Sequence, residues 1–355
     1  MQSIPNTDEM HMLRCLELAK VGMYYVAPNP MVGAVLVDNE GKVIGEGWHR
    51  QFGGPHAEVN CMRDAAERHP EVTDYSGCTI YVSLEPCSHW GKTPPCANML
   101  VEKGVGRVVV GCLDPNPKVS GRGIQLLRDA GIEVETGICE EECRELNKRF
   151  LCLQEKKRPY VILKWAQTAD GYIDRKREVG TTEGPLVIST PLMKQVVHKM
   201  RAENMAILVG TNTVLLDNPR LQTTRWVGRN PIRVTVDRHG VIPANSRIFE
   251  HVADESKRYA GQDEVIVYRD RTDWEYILSD LAERGIHSVM VEGGAKMLQH
   301  ILDIGIWDEA QVEIAEEMII GQGVKAPELR NYEIAKLQNC TYEKEHTVFT
   351  YHHIA

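Results

Sequence analysis

The stretch GGPHAEVNCMRDAAER at residues 53–68 decides the fold of the first half, together with CTIYVSLEPCSHWGKTPPC at 78–96. A Gly-Gly-Pro break precedes apolar residues at helical spacing, which predicts a helix from about Ala57 to Arg68. The apolar, β-branched run CTIYVSLEP ends at Pro86 and indicates a buried strand. Helices and strands alternate on both sides of this pair, so we predict an α/β fold.

The chain on either side of this pair extends the pattern. A helix is predicted from about Asp8 to Gly22, with Asp8 as its cap, and a β-hairpin around the turn at 39–42. A charged helix is predicted over about 139–149.

The polar segment QEKKRP at 154–159 interrupts the alternation and predicts a domain boundary, with one domain over 1–153 and a second over 154–355. The second alternation begins with YVILKWAQT and ends with one predicted strand over 341–353. Because no G-x-G-x-x-G follows its first strand, a Rossmann domain is not predicted.

Composition narrows the classes of protein. The chain has 355 residues, of which 43% are hydrophobic and 26% charged, which is typical of globular domains. Its net charge of −9 argues against a nucleic-acid partner. No segment approaches the roughly 18 apolar residues of a membrane helix, and no secretory signal is evident. We therefore expect a cytoplasmic protein without a membrane partner, whose 10 cysteines are reduced.

His56, Cys87 and Cys96 form the candidate metal site. One imidazole and two thiolates leave a fourth position open, which is typical of catalytic zinc, where the metal lowers the pKa of bound water. Glu58, two residues after the histidine, can then transfer protons without binding the metal. The alternatives are ordinary buried residues, or a structural zinc site with a fourth ligand.

The spacing around the site favours one class of enzyme. H-x-E followed by P-C-x-x-C is the pattern of zinc nucleobase deaminases. Here eight residues, SHWGKTPP, separate the cysteines instead of two. That loop carries His89, Lys92 and Thr93 to the mouth of the site. A structural zinc site would need Cys61, Cys78 or His89 as its fourth ligand.

Several motifs together resemble the bifunctional riboflavin-biosynthesis deaminase/reductases over nearly the whole chain. In the first half they are PNPMVGAV, GWH, GGPHAE, SLEPCSHWGKTPPC and CLDPNP, and in the second KWAQTADGYI, RAENMAILVGTNTVLLDNP and VEGGAKM. The resemblance implies a cytidine-deaminase-like N-terminal domain and a dihydrofolate-reductase-like C-terminal domain. It implies zinc-dependent deamination of a diamino-pyrimidinone ribosylamino phosphate, then NADPH-dependent reduction of the ribosyl group to ribityl.

The resemblance also assigns residues in the first half. His56, Cys87 and Cys96 would hold zinc, and Glu58 would carry the proton from water to the leaving ammonia. The implied substrate contacts are Asn29, His49, His89, Lys92 and Thr93. Two of these have simpler explanations, since Asn29 lies in a turn between two prolines and Lys92 suits a solvated loop.

In the second half, Lys164, on the first strand, and Asp217 are the polar residues that we place at the reducing centre. The implied cofactor contacts are Ala166, Thr213, Asp217, Gly293 and Gly294. The implied substrate contacts are Arg201, Leu221, Arg225 and Glu292. Alternatives remain open for three of them: Asp217 as a turn cap, Glu292 as a carboxylate favoured by a helix dipole, and Thr224 in place of Arg225.

Three positions depart from the resemblance. Pro185 and Val187 stand where many members have serine and tryptophan, and Arg238 stands where a serine often follows the aspartate. Arg238 suits the 2′-phosphate of NADPH, and a solvated arginine explains it equally well. The main alternative is thus an active deaminase with a reductase-like domain that no longer turns over.

Two further alternatives are a tRNA or nucleoside deaminase, which calls for a basic surface or a single domain, and a structural zinc protein. The resemblance also implies a homo-oligomer, a dimer or larger.

Overall fold

The computed structural model describes residues 6–88, 94–116, 120–329, 334–343 and 346–353. His89, Lys92 and Thr93 therefore lie outside the described residues. The chain divides into two compact units, one ending at Lys157 and the other beginning at Arg158, inside the polar segment 154–159. Within the described ranges, no helix has the length and apolar character needed to cross a membrane.

The first unit is built from six helices and five strands among its described residues. The helices are α1 (Thr7–Val21), α2 (Ala57–Arg68), α3 (Cys96–Lys103), α4 (Arg122–Asp129), α5 (Glu140–Leu146) and α6 (Lys148–Lys156). The strands are β1 (Gly33–Val37), β2 (Val43–Trp48), β3 (Thr79–Leu84), β4 (Arg107–Cys112) and β5 (Glu133–Thr136).

These strands form one sheet in the order β2-β1-β3-β4-β5. The predicted hairpin is confirmed, since β1 and β2 pair antiparallel, whereas β3, β4 and β5 run parallel. Successive residues of a strand point to opposite faces of the sheet, so they contribute to two separate hydrophobic cores. On one face Leu36 and Ile80 pack with residues of α2, α3 and α4, and on the other Val35 and Tyr81 pack with α1 and α5.

Two helix predictions in this unit are corrected. The prediction that Asp8 caps α1 is wrong, because the Asn6 side chain accepts the Glu9 N–H at 2.9 Å and Glu9 accepts the Asn6 N–H in return. Asp8 instead pairs with Arg107. The prediction of a single helix over 139–149 is also wrong, because the helix is interrupted at Asn147, which separates α5 from α6.

The second unit contains four α-helices and ten strands among its described residues. The helices are α7 (Pro191–Glu203), α8 (Thr211–Asp217), α9 (Trp274–Glu283) and α10 (Ala295–Asp303). The strands are β6 (Tyr160–Thr168), β7 (Tyr172–Asp174), β8 (Ala206–Gly210), β9 (Ile232–Val236), β10 (Val265–Tyr268), β11 (Ser288–Val291), β12 (Glu309–Ala315), β13 (Val324–Lys325), β14 (Ile334–Glu343) and β15 (His346–His353).

Eight of these strands form a sheet in the order β10-β9-β8-β11-β6-β12-β15-β14. The six strands from β10 to β12 run parallel, and the last two are antiparallel. The single strand predicted over 341–353 is therefore wrong, since β14 and β15 are two strands that pair with each other. Their pairing satisfies backbone groups along the free edge of β15. A short ladder of β7 and β13 stands apart from this sheet.

Candidate active sites in the two units

The candidate metal site lies where β3 ends and two helices begin. His56 is the N-cap of α2, Cys87 follows β3, and Cys96 is the first residue of α3. The Nδ1 atom of His56 lies 3.5 Å from Cys87 Sγ and 3.3 Å from Cys96 Sγ. All three ligand atoms lie within 4.8 Å of one another.

This donor set fits a tetrahedral zinc ion. With ordinary Zn–S and Zn–N bond lengths, the sulfur and nitrogen ligands of such an ion are about 3.6 Å apart, close to the two observed distances. The group comprises these three residues, and within the described ranges neither Cys61 nor Cys78 joins it. The described residues therefore supply three ligands and leave one position open.

The site shifts the pKa values of its two thiols in opposite directions, since the hydrogen bond with Cys87, followed by burial, raises the pKa of Cys96 well above its usual range. A hydrogen bond from Cys96 and another from His56 lower the pKa of Cys87 to about 4, although burial opposes this. The backbone N–H of Cys96 also donates to Cys87 Sγ at 3.3 Å. The bond to Cys87 raises the pKa of His56 to about 9, so a cation bound here takes the place of a proton on the imidazole.

Glu58 lies in the first turn of α2 and is only 3% exposed. Burial raises the pKa of its carboxyl group. A carboxyl that holds its proton more tightly than usual, in the first turn of the helix that begins at His56, suits a role in proton transfer.

His49 and Asn29 meet beside the metal site. His49 is buried, and burial lowers the pKa of its ring. Its Nδ1 lies 3.0 Å from the Pro55 carbonyl oxygen, and its Nε2 lies 3.0 Å from Asn29 Nδ2. A neutral ring that donates to Pro55 and accepts from Asn29 satisfies both bonds. The His49 ring also meets the His56 ring edge-on at 5.5 Å.

Sequence reasoning missed Asn147, which is 2% exposed. Its Oδ1 accepts the Met31 N–H at 2.8 Å, and its Nδ2 donates to the Met31 carbonyl at 2.8 Å. Met31 lies two residues after Asn29, so this side chain fixes the backbone next to a predicted substrate contact. The available signal was a weak helix former inside a predicted helix.

The second unit contains a cleft of about 380 Å³. Five of the predicted residues line it: Lys164, Ala166, Arg201, Glu292 and Gly293. Pro185 and Val187, two of the departures from the resemblance, line it as well, whereas Arg238 is exposed elsewhere.

The buried carboxylate of Glu313 lies close to the ammonium group of Lys164. Glu313 is 1% exposed, and its Oε2 accepts the Ser189 hydroxyl at 2.7 Å. The same oxygen lies 3.8 Å from Lys164 Nζ, while Oε1 lies 3.1 Å from His346 Nδ1. Neither Glu313 nor His346 was predicted from the sequence.

Arg201 and Glu292 form a two-bond ion pair at the cleft, with N···O distances of 2.8 and 3.3 Å. Although burial opposes it, Arg201 holds the pKa of Glu292 below its usual range. Of the remaining predicted substrate contacts, Leu221 is buried with a positive φ and Arg225 is exposed. The neighbouring Thr224 donates its N–H to His198 Nδ1 at 3.0 Å.

The predicted cofactor contacts fall into two groups. Gly294, the N-cap of α10, is exposed, and a Cβ added there would lie 3.9 Å from Thr213 Oγ1. Asp217, at the end of α8, instead pairs with Arg177 at 2.5 Å. Thr213 and Gly294 therefore lie side by side, apart from Asp217. None of these three residues is among those that line the cleft.

Both halves of the chain match known families. Residues 5–112 match the cytidine and deoxycytidylate deaminase zinc-binding region, and residues 159–343 match the RibD C-terminal domain. The predicted fold class, a cytidine-deaminase-like domain followed by a dihydrofolate-reductase-like domain, is thereby confirmed.

Curated relatives match along most of their length. The chain is 39% identical to the riboflavin biosynthesis protein RibD of Aquifex aeolicus, over 92% of this chain and 91% of that one. It is 35% identical to RibD of Escherichia coli, over 88% of each chain.

Solved structures agree with the sequence matches. A Thermotoga maritima protein, described as a diaminohydroxyphosphoribosylaminopyrimidine deaminase/5-amino-6-(5-phosphoribosylamino)uracil reductase, superposes with a TM-score of 0.84 at 37% identity, covering 98% of this chain and 99% of that chain. Acinetobacter baumannii RibD superposes with a TM-score of 0.85 at 33% identity, with the same coverage. The chain belongs to the RibD family, the bifunctional deaminase/reductases of riboflavin biosynthesis.

Proposed function

We propose that the first unit hydrolytically deaminates 2,5-diamino-6-ribosylamino-4(3H)-pyrimidinone 5′-phosphate. We propose that the second reduces the ribosyl group of 5-amino-6-(5-phosphoribosylamino)uracil to ribityl with NADPH. The observation that carries the first step is the grouping of His56, Cys87 and Cys96 within 4.8 Å, with buried Glu58 on the adjoining helical turn. The cleft around Lys164 supports the second.

In the deamination, water adds to the carbon that bears the amino group, and ammonia leaves. His56, Cys87 and Cys96 would hold zinc, which supplies a Lewis-acidic position that makes bound water a better nucleophile. Glu58 would take one proton from that water and deliver it to the departing nitrogen. The burial that raises the pKa of Glu58 supports both halves of this transfer.

Asn29 and His49 would bind the pyrimidine. Because His49 Nε2 accepts from Asn29 Nδ2, the amide oxygen of Asn29 is directed as an acceptor for a base amino group. By family resemblance, His89, Lys92 and Thr93 complete the substrate contacts.

In the reduction, a hydride adds to the anomeric carbon, the bond from that carbon to the ring oxygen breaks, and the ring oxygen gains a proton. NADPH supplies the hydride. Lys164 would donate the proton, because it lines the cleft and its ammonium group is a proton donor. Arg201 and Glu292 would bind the substrate, with the guanidinium group of Arg201 suited to its phosphate and Leu221 and Arg225 added by resemblance.

The residues at α10 fit the proposed cofactor. Gly294 leaves an exposed backbone at the start of a nine-residue helix, and no side chain caps that end. Such an end favours a phosphate group. Gly293, Gly294 and Thr213 would contact the cofactor there, with Ala166 and Asp217 added by resemblance.

One observation favours the alternative that the second unit binds ligands without turnover. Pro185 and Val187 line the cleft where many members of the family have serine and tryptophan, so a hydroxyl and an indole are missing from its wall.

A product assay tests both steps. Purified, zinc-loaded protein would be mixed with the diamino-pyrimidinone phosphate with and without NADPH, and products identified by mass spectrometry. We expect the deaminated product without NADPH and the ribityl product with it. Deamination alone would establish the alternative, and no reaction by folded, metal-loaded protein would contradict the proposal. We also propose a homo-oligomer, on the resemblance alone, which light scattering after size exclusion would test.

A further inference from the structure

We propose that Glu313 is a positioning residue, which orients the side chains of Lys164 and Ser189 in the cleft of the second unit. His346 in turn holds Glu313 in place through a hydrogen bond to its other carboxylate oxygen. This inference rests on the reduction proposed for the second unit. It assigns Glu313 no contact with substrate; its role is to orient the ammonium group that we propose as the proton donor.

The sheet brings three of the groups, Lys164, Glu313 and His346, to one face. β12 lies between β6 and β15, and Glu313 pairs with Ala166 on one side and Val348 on the other. Lys164 and His346 lie two residues before those partners, so their side chains share the face of Glu313. Lys164 and Ser189 both line the cleft.

The contacts divide the carboxylate into two ends. Oε2 contacts two residues that line the cleft, since it accepts from Ser189 at 2.7 Å and lies 3.8 Å from Lys164 Nζ. Oε1 faces the interior, 3.1 Å from Nδ1 of buried His346. Because an ionised carboxylate only accepts, His346 Nδ1 carries the hydrogen in this bond. Two hydrogen-bond donors, Ser189 and His346, and the ammonium group of Lys164 thus surround a carboxylate that is 1% exposed.

Lys164 has a second carboxylate within electrostatic reach. The positive charge of Lys164 helps to hold the pKa of Glu292 low, after the stronger effect of Arg201. Without Glu313, the ammonium group would be drawn toward Glu292, which we propose as a substrate contact. The carboxylate of Glu313, 3.8 Å from Lys164 Nζ, would thus hold the ammonium group away from Glu292.

The strand offers a matched control. Glu309 lies four residues earlier on β12 and is 3% exposed. Its carboxylate accepts from the Tyr160 hydroxyl at 3.2 Å and does not line the cleft. Substitution of Glu309 therefore reports the general effect of neutralising a buried carboxylate on this strand.

The experiment compares E313Q with E309Q in the full-length, zinc-loaded protein. We expect E313Q to lower the reductase kcat roughly 10- to 100-fold while KM changes less than about threefold, because a charge-assisted contact is lost but the substrate contacts remain. We expect E309Q to keep the reductase kcat, and both variants to keep deamination. Equal loss of kcat in E313Q and E309Q would overturn the proposal.

His346 is tested through a pair of substitutions. The amide nitrogen of asparagine overlies Nδ1 of histidine, so H346N retains a donor to Oε1 and H346L does not. We expect a smaller loss of kcat in H346N than in H346L. Equal losses would mean that His346 serves packing alone.

A second readout does not depend on turnover. Lys164 would be acylated at one fixed pH, with its labelling rate measured by peptide mass spectrometry. We expect labelling several-fold faster in E313Q than in wild type or E309Q, since the ammonium group loses its carboxylate partner. Unchanged labelling would overturn the positioning role. If the wild-type protein fails to reduce substrate, the proposed function fails while this labelling still decides the inference.

Discussion

Substitution of Glu58 tests whether zinc binding and catalysis of deamination depend on different residues. Glutamine has nearly the same shape and cannot take a proton, and Glu58 is absent from the group of metal ligands. We therefore expect E58Q to retain zinc and to lower deaminase turnover roughly 10²- to 10⁴-fold. Zinc content by elemental analysis and product formation by mass spectrometry measure the two effects.

Reduction of pre-deaminated substrate by E58Q provides the control, because the second unit contains its own cleft. Near-normal deamination by E58Q would eliminate the proton-transfer role.

We expect His198 to make the second unit less stable in acid. Burial, followed by the charge of Arg201, lowers the pKa of its ring from 6.5 to about 4. Between those values the unfolded chain binds a proton that the folded chain does not, so stability falls as the pH drops through this window. Below about pH 4 the loss is complete.

The variant H198N removes the titrating ring and keeps an acceptor for the Thr224 N–H. We expect the thermal midpoint to fall less in H198N than in wild type between about pH 7 and about pH 5. Calorimetric scans at the two pH values measure it. A fall of the same size in both proteins would show that His198 is not the group responsible.

At the scale of elements, α2 lies so close to β2 that only glycine fits between them. A Cβ at Gly47 would lie 2.2 Å from the Cys61 nitrogen and 2.4 Å from the Ala57 oxygen, both backbone atoms. G47A must therefore move α2, whose N-cap is His56. We expect about 1–3 kcal/mol of lost stability and weaker zinc binding, measured against a chromogenic chelator.

G77A is the matched control for G47A. A Cβ at Gly77 would meet Asn39 at 3.5 Å, an ordinary contact. If G77A and G47A weakened zinc binding equally, the close approach of α2 and β2 would not be what positions His56.

Element prediction succeeded where apolar spacing alone decides the outcome. The helix predicted over Ala57–Arg68 matches α2, because one face of it packs on the sheet at regular intervals. Prediction failed at Asn147, where the helix is interrupted and the Asn147 side chain forms two hydrogen bonds with the backbone of Met31. Spacing within a window carries no information about a partner so far away in the sequence.

At the scale of the whole molecule, two chemistries with different requirements occupy one chain. The ligand group lies in the first unit, and the cleft lies in the second. We expect a zinc chelator to abolish deamination and to leave reduction of pre-deaminated substrate unchanged, with deamination restored by added zinc. Loss of both activities would show that zinc also supports the second unit.

The way in which distant segments assemble explains why the sites were only partly predictable from the sequence. The proposed zinc ligands could be predicted, because histidine and cysteine are common metal ligands and short sequence motifs contain all three of them: His56, Cys87 and Cys96. Glu313 and His346 carry no such mark, because Lys164 reaches them only after β6, β12 and β15 assemble into one sheet.

The bond between Asn147 and Met31 determines how short an independent deaminase can be. A chain cut after β5, at Thr136, would retain every proposed zinc ligand and Glu58. It would still lack the amide that holds the backbone beside Asn29. The minimum catalytic fragment therefore extends beyond the last strand of its own sheet, as far as Asn147, past a helix that supplies none of the three proposed zinc ligands.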